Sequence, residues 1–330
     1  MSDLAEIRRL HGHGLIDFHF DLPMELWAKK DQPELFEREF LPQLERGGIG
    51  AFVAAIYIED KYLPGRAFEV ALEQIDCMRA AAARSNKASI CRSWAEIEAA
   101  RSAGQIAIIL GLEGAEPIGT DLENLHRFYE RGVRLVGLTH ARSNAAAHGG
   151  RFAAGGSSAE GLTDFGRELV ALCQELGIMI DLAHINPAGF EEILSLVTRA
   201  PLVSHTNARR FYDIDRNVSD EQIRMIGKRG GVIGVNTVLV SSVKEKSTLD
   251  GYIDHVAIGF DFFEFIYRQW PQEQQRELAQ KLAEPHFLAE LRDHSDAPNL
   301  TRRLFGRGFS EPEVAKFLFG NWERVLREWL

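Results

Sequence analysis

Eight short runs rich in Val, Ile, Leu and Ala recur along the chain with segments of helical period between them, and this alternation restricts the fold more than any other feature. The runs are 15–22, 51–58, 106–112, 135–139, 178–183, 201–204, 231–235 and 256–262. A strand covered on both faces reads as a near-continuous apolar run, and strands that alternate with helices build a parallel sheet. Eight such units close into a TIM-like (β/α)8 barrel, so the expected fold class is α/β. Amphipathic stretches at about 67–83, 122–131, 164–176, 187–198 and 220–229 predict outer helices. Thr163 before Asp164 and Asn186 before Pro187 predict N-caps, while Gly132 and Gly177 stand where helices should stop.

A barrel of this kind needs about 250 residues, which leaves part of a 330-residue chain for loops and a tail. The expected organisation is therefore one domain spanning 1–330, with a barrel core over about 14–265 and a C-terminal helical extension over about 271–330. That extension reads as a charged helical region at 271–292, a loop containing Pro and Asp, and a terminal helix at about 311–329. In the terminal helix Val314, Phe317, Leu318, Trp322, Val325, Leu326 and Trp329 recur at helical spacing, which predicts packing onto the barrel.

The formal net charge of −10 argues against a nucleic-acid partner, because neutralising phosphates needs a basic surface, and it disfavours an anionic membrane. No segment approaches the roughly 20 apolar residues that span a bilayer, and the first residues lack an apolar core of signal-peptide length. The expected location is cytoplasmic. Cys77, Cys91 and Cys173 are an odd number without close pairing and are expected to be buried thiols, not a disulfide framework or a thiolate metal site.

Parallel barrels assemble their sites from the C-terminal ends of strands, so the residues that end each run carry the functional signal. The first run contains Asp17, His19 and Asp21; Glu113 follows the third, His140 the fourth, His184 the fifth and His205 the sixth, and Asp261 lies in the eighth. Alternation predicts that Asp17, His19 and Asp21 face the barrel interior, with Phe18 and Phe20 turned outward. Carboxylates and imidazoles gathered inside a barrel carry a heavy desolvation penalty unless they bind something positive. These donors suit zinc, manganese or iron. Two such ions sharing a carboxylate would use His19, Asp21 and Glu113 on one side and Glu113, His184 and His205 on the other, with Glu113 the candidate bridge. His11 and His13 have an H-x-H form but precede the first run, which places them at the bottom of the barrel or in an N-terminal arm.

These segments resemble the renal, or membrane, dipeptidase family of metallopeptidases within the amidohydrolase superfamily. The similarity covers nearly the whole chain. It is carried by Asp17-Phe18-His19-Phe20-Asp21-Leu22-Pro23, Gly111-Leu112-Glu113-Gly114, Leu138-Thr139-His140, Asp181-Leu182-Ala183-His184 and Ser204-His205-Thr206, then by Arg216-Asn217-Val218-Ser219-Asp220, the stretch 231–236, Gly259-Phe260-Asp261-Phe262, Arg307-Gly308-Phe309-Ser310 and Gly320-Asn321. The resemblance implies a dipeptidase with two zinc ions bridged by Glu113 and by a hydroxide that attacks the peptide carbonyl. It implies further that His140 polarises that carbonyl, Arg216 holds the substrate carboxylate, and Asp261 binds the amino group or passes a proton to the leaving amine. Asn144 is expected beside the substrate, and a homodimer is implied.

Four departures from the family pattern bear on substrate rather than on metal. Phe263 and Glu264 replace an Asp-Gly pair, His148 stands where an Asp is common, and Ala183 replaces a Ser. The stretch 243–254 is also short, which predicts a reduced outer helix. Two alternatives to a dipeptidase stay open at this level: a binuclear-metal hydrolase of another small amide, lactam or lactone, and a non-catalytic binding protein of the same fold.

Overall fold

Runs of Ile, Val, Leu and Ala without an interior proline form one parallel sheet in the computed structural model, which describes residues 2–152, 155–238, 240–241, 243–254, 259–276 and 285–330. Its strands are β1 (Leu15–Phe20), β2 (Ile49–Tyr57), β3 (Ala88–Ile90), β4 (Ile106–Glu113), β5 (Val133–Gly137), β6 (Met179–Asp181), β7 (Leu202–Thr206) and β8 (Val232–Val235). Seven of them run in the order β1-β2-β4-β5-β6-β7-β8 around a nearly closed α/β barrel. The short β3 lies outside the expected runs; it pairs with the first residues of β4, and β5 pairs with the last.

The expected strand over 256–262 falls partly on 255–258, outside the described residues, and 259–262 form no strand. They nonetheless bridge the gap between β8 and β1. Thr237 N–H donates to Phe260 O (2.9 Å), Phe260 N–H to the Asp17 carboxylate (2.9 Å), and Asp261 N–H to His19 O (3.3 Å). The closure is tight enough to require glycine, because a Cβ on either Gly234 or Gly259 would lie 1.9 Å from Ser204 O.

The outer helices follow the sequence signals closely. Helices Asp164–Leu176 and Pro187–Leu196 begin where Thr163 and Asn186 accept from Gly166 N and Gly189 N (2.9 Å each), and the first ends at Gly177 with φ +71°. Helices Ala67–Ser85, Glu123–Glu130 and Asp220–Lys228 match the other amphipathic stretches. Helices Leu22–Ala28, Leu41–Gly47, Trp94–Ser102 and Ala297–Gly306 lie outside the expected set. The shortened stretch 243–254 holds only a five-residue helix, Leu249–Ile253, and a 3-10 turn. Of the charged region 271–292, residues 277–284 lie outside the described residues. Among the described residues no helix is long and apolar enough to cross a membrane.

Two apolar layers result. The outer one joins Phe20, Phe52, Ile56, Ile108, Leu110 and Val136 to the helices. The inner one collects Ile16, Phe18, Val53, Ile109, Met179, Leu202 and Val232 from the barrel lumen with Trp322, Val325, Leu326 and Trp329 of the terminal helix Asn321–Trp329. The terminal helix thus plugs the lower end of the barrel, and Trp322 stacks on Phe18 with ring centroids 3.7 Å apart. A Trp322→Ala variant is expected to lose about 3–5 kcal/mol of stability, read as a lowered chemical-denaturation midpoint, because the lumen cannot collapse around the void.

Phe18 corrects the simple alternation. Between the pairs Asp17↔Phe52 and Phe20↔Ala54, β1 advances three residues while β2 advances two. This β-bulge turns both Phe18 and His19 toward the lumen. Asp17 instead faces outward, fully buried, with His294 Nε2 2.8 Å from its carboxylate. Asp17 therefore ties β1 to 259–261 and to the C-terminal extension, and does not join the metal-capable group.

Candidate metal centre

Every barrel strand brings a polar group to the same rim, because all run parallel and end there. His19 is the penultimate residue of β1 and Asp21 follows it; Glu113 is the last residue of β4; His140 and His184 each lie three residues past β5 and β6; His205 is in β7 and Asn236 follows β8. Three overlapping groups, His19/Glu113/His205, Glu113/His140/His184 and His19/Asp21/Asp261, each hold their ligand atoms within 4.8 Å of one another. Glu113 belongs to two of them, as a shared carboxylate must. The groups overlap and do not divide the donors: His205 also lies beside His19 and His140 beside His184, while His184 and His205 both approach Glu113.

Three of the five spacings among these groups match those a metal sets. Tetrahedral ligands at about 2.0–2.2 Å from zinc stand about 3.3–3.6 Å apart. His19 Nε2 lies 3.4 Å from Asp21 and 3.6 Å from Glu113, His205 Nε2 lies 3.6 Å from Glu113, and His184 Nε2 lies 3.1 Å from Glu113. His184 and His205 bring their Nε2 atoms within 2.8 Å of each other. Ser204 Oγ donates to the Asp181 carboxylate and so accepts from His205 Nδ1 (2.8 Å), which turns the bare Nε2 of His205 toward the cluster. Asp181 is held in turn by Ser204 N–H (2.8 Å) and Ala183 N–H (3.0 Å). A convergence of lone pairs and carboxylates in a buried place is stable only around positive charge.

Electrostatics point the same way. Burial, reinforced by Arg216, drives the His184 imidazole well below its usual range, and burial with His19 does so for His205, so both stay in the neutral form that ligates. Burial opposes a charge on His19, but Glu113, Asp21 and Asp261 outweigh it and push that imidazole up to about 10. Burial raises Glu113 well above the usual carboxylate range, and His19 only partly offsets it. Burial likewise pushes Asp261 up to about 6. Protons thus gather where a cation would relieve the same charge.

Strain marks the same place. Among the described residues three non-glycines have positive φ, and two of them are His184 (+64°) and Asp261 (+50°). Such backbone persists where surrounding structure over-determines it, and here it aims two functional side chains inward.

Above the cluster opens a cavity of about 160 Å³, lined by Asp21, Glu113, His140, His184, Arg216, Asn236 and Asp261 on its polar side. Arg216 is 4% exposed; one terminal nitrogen, Nη2, donates to His205 O (2.8 Å), while Nε and Nη1 have no partner. Burial lowers its guanidinium to about 10, and Asp261 and Glu113 partly restore it. His140 stacks on His184 with centroids 4.2 Å apart, and burial with Arg142 holds its imidazole well below the usual range. Asp261 accepts from Asn236 Nδ2 at 2.5 Å. A larger groove, about 340 Å³, beside helix Asp220–Lys228 contains none of these groups.

Some expected residues lie elsewhere. Asn144 does not line the cavity: its amide donates to Leu138 O (2.7 Å) and its oxygen accepts from Ala146 N (2.9 Å), so it shapes the loop after His140. His148 pairs with Ser143 and Glu160, also away from the cavity. Glu264 is turned away to Arg268 and Arg292. His11 bonds Gly47 O and Thr301, and His13 bonds Glu323, at the opposite end of the barrel. Cys91 and Cys173 are buried and Cys77 is half-buried; all three are free.

Conversely, Tyr57, Asn236, Asp181 and Ser204 are part of the site without having been assigned a role from sequence. Tyr57 and Asn236 obey the same strand-end rule, since they close β2 and follow β8. Asp181 shows itself as a lone carboxylate in the apolar strand Met179–Asp181. Tyr57 lies in a ring contact with His140 (4.7 Å), and its hydroxyl accepts from Arg142 (3.0 Å).

Similarity to known proteins agrees with this centre. Dipeptidase 3 of Rattus norvegicus is 31% identical over 340 residues, covering 95% of this chain, and an uncharacterised dipeptidase of Schizosaccharomyces pombe is 31% identical over 268 residues, covering 73%. The chain spans 64% of the length of each of these relatives. A metallopeptidase from Rhodobacter sphaeroides, solved with a phosphinate mimic of the dipeptide L-Ala-D-Ala, superposes with a TM-score of 0.77 at 25% identity, covering 96% of this chain and 99% of that one. Residues 4–260 match the membrane dipeptidase model, and with a metal-capable cluster at the rim of a parallel barrel the chain belongs to the membrane dipeptidase family, peptidase family M19.

Proposed function

We propose that the protein is a metal-dependent dipeptidase that hydrolyses the peptide bond of small dipeptides bearing a free amino group and a free carboxylate. In this reading it holds two divalent cations, zinc by preference, with Glu113 between them, His19 and Asp21 on one and His184 and His205 on the other. The observation that carries it is Arg216, a buried guanidinium with two unpartnered nitrogens lining the cavity beside the metal-capable cluster. A buried Arg without an acceptor is unfavourable, and a carboxylate is its best partner. The phosphinate dipeptide mimic bound by the Rhodobacter sphaeroides relative supports the same substrate class.

Cations bound here would supply Lewis acidity and would lower the pKa of a water enough for hydrolysis of an amide near neutral pH. The chain's own groups do the rest. Arg216 anchors the substrate carboxylate and thereby orients the peptide bond over Glu113. His140, kept neutral by burial, donates to the carbonyl oxygen as negative charge builds there. Asp261, steadied by Asn236, accepts from the amino group or passes a proton to the leaving amine. A lactam or lactone without a free carboxylate would leave Arg216 unused, which favours the dipeptide over that alternative.

Metal analysis together with a dipeptide panel tests the reading. The loaded protein is expected to carry two ions per chain, and chelation to slow Ala-Ala cleavage by at least about a hundredfold, reversibly on adding zinc. Undiminished cleavage by stripped protein, or no dipeptide cleaved by loaded protein, would overturn it.

A further inference from the structure

The polar side of the cavity is taken up by the proposed cations and by the ends and the amide of a dipeptide; the rest of its lining is Met24, Phe152, Val238, Phe263, Trp270 and Pro285, with Tyr57. Resting on the dipeptidase reading, we infer that the substrate's amino-end residue carries an apolar or aromatic side chain, seated against the wall made by Phe263 and Trp270.

The placement follows from chain geometry. Phe263 stands two residues beyond Asp261, which binds the amino group in the first of its two proposed roles, and its carbonyl accepts from Ile266 N and Tyr267 N (3.0 Å each). Its ring meets Trp270 edge-on with centroids 5.2 Å apart, and Tyr267 braces both at 6.1 and 6.3 Å. Tyr267 packs in turn on Phe287 (5.5 Å). The wall is thus a supported aromatic cluster beside Asp261. Phe152 belongs to the other end: Arg216 N–H donates to the carbonyl of Arg151, and the Phe152 ring lies 6.1 Å from His184. The carboxyl-end side chain therefore faces Phe152, and the amino-end side chain faces Phe263.

Glu264, the acid next in sequence, cannot soften this wall, because Arg268 and Arg292 hold it away from the cavity. A carboxylate on the amino-end side chain would lose its water against ring faces that repel negative charge, and an ammonium would give up full hydration for ring faces that repay it only in part, whereas a Leu or Phe side chain would gain by leaving water.

The test uses metal-loaded full-length protein and X-Ala dipeptides with X = Gly, Leu, Phe, Asp or Lys, alongside calorimetric binding of phosphinate mimics of Phe-Ala and Asp-Ala. Phe-Ala and Leu-Ala are expected to exceed Asp-Ala and Lys-Ala in kcat/KM by about a hundredfold, and the Phe mimic to bind at least about tenfold more tightly than the Asp mimic. Phe263→Asp should cut the Phe-Ala to Lys-Ala ratio at least about tenfold, while Phe263→Leu keeps the apolar preference. Equal use of charged and apolar amino-end residues, or ratios unmoved by Phe263→Asp, would overturn the inference and leave the dipeptidase reading intact. If no X-Ala peptide is cleaved and no mimic binds, the dipeptidase reading itself falls and this inference with it.

Discussion

A Glu113→Gln variant is expected to cleave dipeptides at least about a thousandfold more slowly than the native protein, about 4 kcal/mol in the barrier, and to bind at least one metal ion fewer per chain. Three imidazole nitrogens, those of His19, His184 and His205, lie within 3.6 Å of one Glu113 oxygen, so this carboxylate occupies the centre of the cluster. An amide of the same size keeps the shape but removes the negative charge that two cations would share. It also leaves an N–H₂ group facing imidazole nitrogens that a cation would otherwise occupy. Metal content by elemental analysis and cleavage rate are read on the same preparation. Two ions retained at full occupancy would refute the bridging role, and full activity would refute any role in catalysis.

An Arg216→Met variant is expected to lower kcat/KM for dipeptides by about 10²–10³-fold, the effect of removing one partner from a buried charge pair. The native protein should discriminate strongly between a dipeptide and its C-terminal amide, and the variant should not. That pair of measurements separates recognition of the carboxylate from general damage to the site. Stability is expected to hold or rise, because Met removes a buried guanidinium two of whose nitrogens have no partner. A variant that still prefers the free carboxylate would show that another group binds it.

Much of the centre is legible in the sequence. A parallel barrel puts its strand ends on one rim, so His19, Asp21, Glu113, His184, His205 and Asp261 could be grouped from their places after apolar runs alone. The caps at Thr163 and Asn186 were equally readable, since they are local chemistry between residues three apart. What failed was reasoning that assumed regular local geometry. One extra residue in β1 turned Phe18 into the lumen and Asp17 out to His294, a change that depends on pairing with β2. Asn144 is a separate case: the family resemblance implied a place beside the substrate, whereas its side chain bonds the backbone of its own loop.

Sequence by itself determined the fold class and the inventory of metal-capable donors, because hydrophobic period and strand-end position are properties of short segments. Only the tertiary structure decided which donors meet, that Arg216 is buried with nitrogens to spare, and that Phe263 faces the cavity while Glu264 turns away. Those outcomes depend on distances between segments far apart in the chain, which are set by how strands register and how helices pack, and no local pattern encodes them.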